Sequence, residues 1–300
     1  MKVRYFHPIN NVFEETVWDK PDIKNTEIEV KTKYVGVSNN DLNVIYNQTT
    51  YASNKYGCES VGIVTKVGSK ITDVKVGDFV ATTTNHLYSD FYNCKTEEYV
   101  KIPKCSPRYI LEPIARSLNL ITQNWNKFVE LNRNEGKILI LGSGFVASVL
   151  YTVLTKEHDV DPNRIYVVGS HNKSIFNKSL YNTLPIHLYD IVFDLQGLNT
   201  PLTNNILNTN SLLIIGAAGK PTLIDLNLLA HKSVTINFPS PDNNKFYESL
   251  NDACRIVETK IFDPNKFWTK GYKRDTEWKS AFSTGINRPK HYNYGYIIWN

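Results

Sequence analysis

The chain has 300 residues, enough for two domains at about 150 residues each. Its 41% hydrophobic and 21% charged residues are close to an average globular protein, so disorder is not the default reading. The net charge of +5 comes from Lys and Arg scattered along the sequence, which leaves no concentrated run for nucleic acid or a membrane surface.

Residues 27–35 (EIEVKTKYV), 60–67 (SVGIVTKV) and 78–82 read as short strands bounded by Gly, Asn or Asp. This texture predicts a compact antiparallel, barrel-like domain. From residue 112 the texture changes. Residues 114–130 carry apolar positions at near-helical spacing, and from residue 135 strands alternate with helices. Strands are predicted at 137–141, 164–168, 186–189, 190–195, 211–216 and 233–238, with a helix over 145–156. Short apolar strands interleaved with helices predict a parallel α/β sheet. The aromatic-rich tail after residue 258 has no strong period and is expected to fold back on the first domain.

No apolar run approaches the length of a membrane span. The opening MKVRYFHPINN lacks the apolar middle and cleavage site of a secretory signal. Cys58, Cys94, Cys105 and Cys254 form no C-x-x-C pair and no disulfide framework. A reduced, cytoplasmic protein is the expectation.

The chief motif is Gly142-Ser143-Gly144-Phe145-Val146-Ala147, directly after the strand KILIL and opening an apolar helix. The first glycine permits a tight turn, Gly144 lets backbone approach a pyrophosphate, and the small Ala147 permits close helix–strand packing. The helix N-terminus adds N–H groups and a positive dipole end. The alternative is an ordinary glycine-rich turn.

A second clue follows the next strand, in Gly169-Ser170-His171-Asn172-Lys173. NAD-selective sites put Asp or Glu here, against the ribose 2′-hydroxyl. This turn has no carboxylate. Gly169 opens space, Ser170 can donate a hydrogen bond, and His171 or Lys173 can meet a 2′-phosphate. The expected cofactor is therefore NADPH, although the turn could merely cap the following helix.

With the first domain, these residues resemble the medium-chain dehydrogenase/reductase superfamily, the zinc alcohol dehydrogenase-like proteins. Residues 57–64 (GCESVGIV) resemble its G-H-E-x-x-G-x-V segment, and residues 67–80 its V-G…G-D-x-V run. Glu98-Tyr99 is similar to its A-E-Y, Glu112-Pro113-Ile114 to its E-P-L/I, and residues 190–197 to its D-x-V-F-D-x-x-G strand. The resemblance implies an α/β chain with a GroES-like antiparallel β-barrel catalytic domain, residues 1–115 completed by 255–300. Around 116–254 it implies a Rossmann doubly wound parallel-sheet domain. The Gly-Ser-His turn is similar to the Gly-Ser-Arg turn of NADP-dependent members.

The chain also departs from the family. The zinc-ligand and proton-relay positions of relatives correspond here to Ser38, Asn40, Cys58, Glu59 and Glu112. Cys58, Glu59 and Glu112 remain candidate metal ligands, but one thiolate with two carboxylates is an unusual zinc set, and a degenerate site is favoured. Cys58 could equally be a small buried thiol, and structural roles are expected for Glu97 and Glu98 at a strand edge and for Asp41 as a brace of the loop after Ser38. The family's structural zinc lobe is missing: residues 82–95 hold only Cys94, with His86 a distant companion.

The expected function is hydride transfer between NADPH and a small carbonyl or alcohol, such as a polyol or sugar phosphate. Ser38, Asn40 or Tyr51 would act as hydrogen-bond donor if no metal is held. A zinc-free enone or quinone reductase and a catalytically silent NADPH-binding sensor or partner protein are the alternatives. Residues 233–238 (SVTINF) are a candidate homodimer edge by analogy with relatives.

Overall fold

The computed structural model describes residues 1–9, 12–39, 41–42, 56–85, 88–197, 205–217, 226–240, 244–289 and 292–299. The chain divides into two units, Met1–Pro113 with Leu250–Asn300, and Ile114–Ser249.

The first unit begins with an antiparallel pair, β1 (Lys2–Ile9) and β2 (Val12–Asp19). Then follow β3 (Glu27–Gly36), β4 (Ser60–Val67), β5 (Phe79–Thr82), β6 (Phe91–Lys95) and β7 (Tyr99–Ile102). Two strands from the tail, β14 (Trp268–Lys273) and β15 (Tyr294–Ile298), join the same sheet in the order β14-β15-β3-β4-β5-β7, with β6 also on β3. All its pairs are antiparallel except β14 with β15. The tail therefore does have a period: in β15 buried and half-buried residues alternate, which sets Ile297 opposite Val35 of β3. The core gathers Ile28, Val30, Val35, Val64, Val80, Tyr92 and Ile297 from these strands. Burying each such aliphatic side chain stabilises by about 1.5–3 kcal/mol.

The second unit holds α1 (Glu112–Thr122, which starts just before the boundary), α2 (Trp125–Arg133), β8 (Ile138–Leu141), α3 (Phe145–Lys156), β9 (Ile165–Val168), α4 (Lys173–Phe176) and β10 (Leu180–Tyr181). It continues with β11 (Tyr189–Asp194), β12 (Leu207–Ile215), α5 (Leu226–His231) and β13 (Thr235–Asn237). Helix α6 (Asn244–Glu258) returns the chain to the first unit. All pairs are parallel, and the sheet order is β10-β9-β8-β11-β12-β13. The strand order thus reverses between β8 and β11, the place where doubly wound sheets bind ligands. Strand β8 (ILIL) is buried throughout, as a central parallel strand must be. Helix α3 is apolar on nearly every face, burying Phe145 and residues 147–154.

Three expectations are corrected. The helical stretch over 114–130 is broken, with α1 ending at Thr122 and α2 starting at Trp125. Between them Asn124 donates its side-chain amide to Leu120 O and accepts one from Asn237, bonds that favour a break over continued helix. Residues 186–188 are not a strand; Ile186 is fully exposed behind Pro185, and the strand begins at Tyr189. Glu97 and Glu98, expected at a strand edge, lie in a short 3-10 turn, where Glu98 accepts from Lys95 N at 2.9 Å.

Candidate dinucleotide and catalytic sites

The glycine loop leaves β8 at the point of strand-order reversal. Gly142 has φ +117°, which only glycine adopts without strain, and its N–H donates to Val168 O of the neighbouring strand at 2.9 Å. Gly144 is extended and precedes α3, and a Cβ added there would meet nothing within 4 Å. The space in front of this backbone is therefore open, as a site for a bulky pyrophosphate requires. The first turn of α3 presents N–H groups that the helix itself does not satisfy. Ala147 is buried at the foot of α3, in keeping with close helix–sheet contact. Of the other loop residues, Ser143 and Phe145 turn their side chains inward and Val146 is half-buried, so these positions face the loop's open side through backbone.

The turn after β9 lies beside this loop. Ser170, His171 and Lys173 are exposed, with Ser170 Oγ 3.2 Å from His171 Nδ1. No Asp or Glu occupies residues 169–173. The sequence reading left Asn172 without a role, yet it adopts a left-handed conformation at φ +54° and donates through Nδ2 to Ser143 O at 2.8 Å. The residue type was a usable signal, since Asn tolerates that conformation better than most.

In the first unit, a buried network gathers residues near the end of β3 and the start of β4. Asp41 is wholly buried. Its Oδ2 accepts from Ser38 N at 2.7 Å and from Ser38 Oγ at 2.8 Å, and its Oδ1 accepts from Gly57 N at 2.6 Å. Tyr88, also wholly buried, donates its hydroxyl toward Gly36 O at 2.9 Å and Asp41 Oδ2 at 2.8 Å. Burial pushes the Asp41 carboxyl up, opposed by the hydrogen bonds from Gly57, Ser38 and Tyr88. Burial, with Asp41 beside it, holds the Tyr88 phenol well above its usual range. Cys58 is half-buried and donates to Asn85 Oδ1 at 3.3 Å. Glu59 is buried against Gly36, where an added Cβ would come 2.6 Å from Glu59 Oε1. Tyr88 and Asn85 carried no signal in the sequence, because their roles depend on pairings between distant segments.

Ser38, Cys58 and Glu59 therefore belong to the same part of the first unit, while Glu112 is buried at the start of α1. Asn40, Tyr51 and His86 lie outside the described residues. Among the described residues, no group of three or more His, Cys, Asp or Glu side chains is arranged to hold a metal ion, and Cys58, Glu59 and Glu112 do not form one. Cys94 is buried in β6, and burial raises its thiol well above the usual range. Among the described residues, no helix is long and apolar enough to cross a membrane.

Residues 24–109 match the family model described as the alcohol dehydrogenase GroES-like domain. A Leishmania amazonensis protein, "Probable quinone oxidoreductase", is 29% identical over 29% of this chain and 27% of its own length. The chain thus spans about a quarter of that curated relative's length. The crystal structure of S. aureus TarJ in complex with NADPH superimposes with a TM-score of 0.81 at 17% identity, covering 100% of both chains. A short chain alcohol dehydrogenase (rspB) of E. coli CFT073, complexed with NADH, gives 0.79 at 15% identity over 99% of both. At these identities the two structures speak for fold. The class is a chain that pairs a GroES-like unit with a Rossmann-like parallel-sheet unit. Residues 24–109 thus match the alcohol dehydrogenase GroES-like domain, and the whole chain shares the fold of these two structures.

Proposed function

We propose that the protein is an NADPH-dependent oxidoreductase that transfers hydride between the nicotinamide and a small organic substrate. The observation that carries this reading is the Gly142–Ala147 loop: a glycine-only turn at the strand-order reversal, with open space in front of Gly144. Gly142, Ser143, Gly144, Phe145 and Val146 would cradle the pyrophosphate, largely through backbone. Gly169, Ser170, His171 and Lys173 would receive the ribose end, where the lack of a carboxylate supports NADPH over NADH.

When bound, the nicotinamide supplies the hydride; the chain must bind, orient and polarise the substrate. Ser38 is assigned to hydrogen-bond the substrate oxygen by turning its hydroxyl proton away from Asp41 Oδ2, which accepts it at 2.8 Å in the free protein. Asn40, Cys58 and Glu59 are proposed as the further catalytic groups. Because the described donors do not group around a metal, the favoured substrate is an activated double bond, as in an enone or quinone. The name of the Leishmania relative supports the same choice. A carbonyl or alcohol reaction is the second reading, supported by the alcohol dehydrogenase description of the matched segment. The open edge of β13, which pairs only with β12 among described strands, is proposed as a homodimer contact within a cytoplasmic protein.

The test follows NADPH oxidation against panels of enones, quinones, aldehydes and ketones. Turnover with enones or quinones, lowered about 10²-fold by Ser38→Ala, is expected. Turnover restricted to aldehydes and ketones, and lost on chelation, would instead support a metal-assisted carbonyl reaction. Tight NADPH binding with no oxidation by any panel would support the silent, sensor or partner-binding reading.

A further inference from the structure

Ser143 stands between two glycines, where a small side chain facing a phosphate would be expected. It faces the other way, being 4% exposed. Its Oγ accepts from the backbone N–H of His171 at 2.9 Å, and its carbonyl accepts from Asn172 Nδ2 at 2.8 Å. Gly169 packs so closely against it that an added Cβ would collide with Ser143 Oγ and lie 2.6 Å from Ser143 Cβ. One residue of the phosphate loop thus meets three of the five residues in the turn after β9. The left-handed backbone at Asn172 aims its amide at the Ser143 carbonyl.

We propose that Ser143 is a positioning residue that sets cofactor selectivity, by holding the 169–173 turn at a fixed place relative to the phosphate loop. This rests on the dinucleotide reading above. The pyrophosphate and the 2′-phosphate of NADPH are joined through one ribose, so both are gripped only if loop and turn keep a set separation. NADH has no 2′-phosphate and depends mainly on the loop. Loosening the tie weakens NADPH more than NADH, even though Ser143 touches neither 2′-substituent.

The test measures dissociation constants for both nucleotides on the whole protein, for wild type, Ser143→Ala and Asn172→Gly. Glycine tolerates the left-handed backbone at position 172, so that variant deletes only the amide. It also keeps the proposal testable if Ser143→Ala folds poorly. Losing one such hydrogen bond is expected to weaken NADPH about fivefold and NADH less than about twofold. Amide exchange without nucleotide supplies an independent readout: the His171 N–H should exchange faster in Ser143→Ala. Equal weakening of both nucleotides, or an unchanged preference, would overturn the proposal while leaving the dinucleotide reading intact. Wild type that binds neither nucleotide would overturn both, and any faster His171 exchange would then mark a structural tie alone.

Discussion

The Lys20–Glu29 pair is a single-residue matter with a large energetic stake. Both side chains are almost wholly buried, with Lys20 Nζ 2.8 Å from Glu29 Oε2. Lys20 also donates to Asn93 Oδ1 and Pro21 O, and Glu29 accepts from Thr65 and Lys66. Removing Lys20 takes one of three partners from a buried carboxylate and leaves Thr65 and Lys66, so Lys20→Met should destabilise the first unit by about 1–3 kcal/mol in denaturant titration. A wild-type-like midpoint would contradict the pairing. Burial alone would push the Glu29 carboxyl up, but hydrogen bonds from Lys20, Thr65 and Lys66 outweigh it and hold the carboxyl below its ordinary 4.5. A depressed carboxyl stabilises the fold above its unfolded value and loses that contribution as pH falls through the folded value. Wild type should therefore exceed Glu29→Gln in stability at neutral pH, and the gap should close as pH drops below about 4.5. A gap constant with pH would assign the effect to packing. The sequence contains no cue for this pair, because Lys20 and Glu29 meet only after the chain has turned into β3. Asp41 differs, since its place three residues after Ser38 already suggested the loop bracing that its carboxyl performs.

At the scale of elements, periodicity and turn chemistry were good guides wherever they agreed. The strand KILIL, the glycines behind it and the apolar run of α3 together defined a strand–loop–helix unit, and the helix spans Phe145–Lys156. The turn geometry gives a direct prediction. At φ +117° any side chain is strained, so Gly142→Ala should cost about 1–3 kcal/mol in the second unit, read by thermal or denaturant unfolding. An unaltered stability would contradict the turn. Local pattern failed where a single polar residue overrode it. Asn124 breaks an apolar helical stretch, and the aliphatic character of residues 186–188 suggested a strand where Ile186 faces solvent. Around the candidate site of the first unit, Ser38, Cys58 and Glu59 were singled out by the family resemblance alone, and Tyr88 and Asn85, which bond Asp41 and Cys58, were not singled out at all. Their partners lie in other segments, which sequence proximity cannot reveal.

At the scale of the whole chain, the first unit is built from both ends of the sequence. Its last segment supplies β14, β15 and the helix α7 (Arg274–Asn287), whose aromatic face meets the β1–β2 hairpin. Phe13 stacks on Phe282 with ring centroids 4.4 Å apart, and Phe6 stacks on Trp278 at 4.3 Å. Buried Arg274 bonds Glu15 at 2.9 Å and lies over the Phe6 ring. Truncating the central ring, Phe282→Ala, should destabilise the unit by about 3–5 kcal/mol, measured by denaturant unfolding. A loss below about 1 kcal/mol would mean that this packing is not a core. The tail's return to the first unit was legible from its aromatic content; its two strands and its parallel β14–β15 pair were not, because helix α7 separates them in sequence.

The central claim is that the loop after β8 binds a nicotinamide dinucleotide and that the turn after β9 prefers its 2′-phosphorylated form. Titration of the purified protein with NADPH and with NADH, followed by nicotinamide fluorescence and repeated on Gly144→Asp, tests it most directly. A side chain and negative charge in the open space before α3 should abolish binding. The account predicts tighter binding of NADPH than NADH, lost in the variant. Equal or better binding of NADH would contradict the 2′-phosphate reading, and binding of neither nucleotide by the wild-type protein would contradict the dinucleotide site itself.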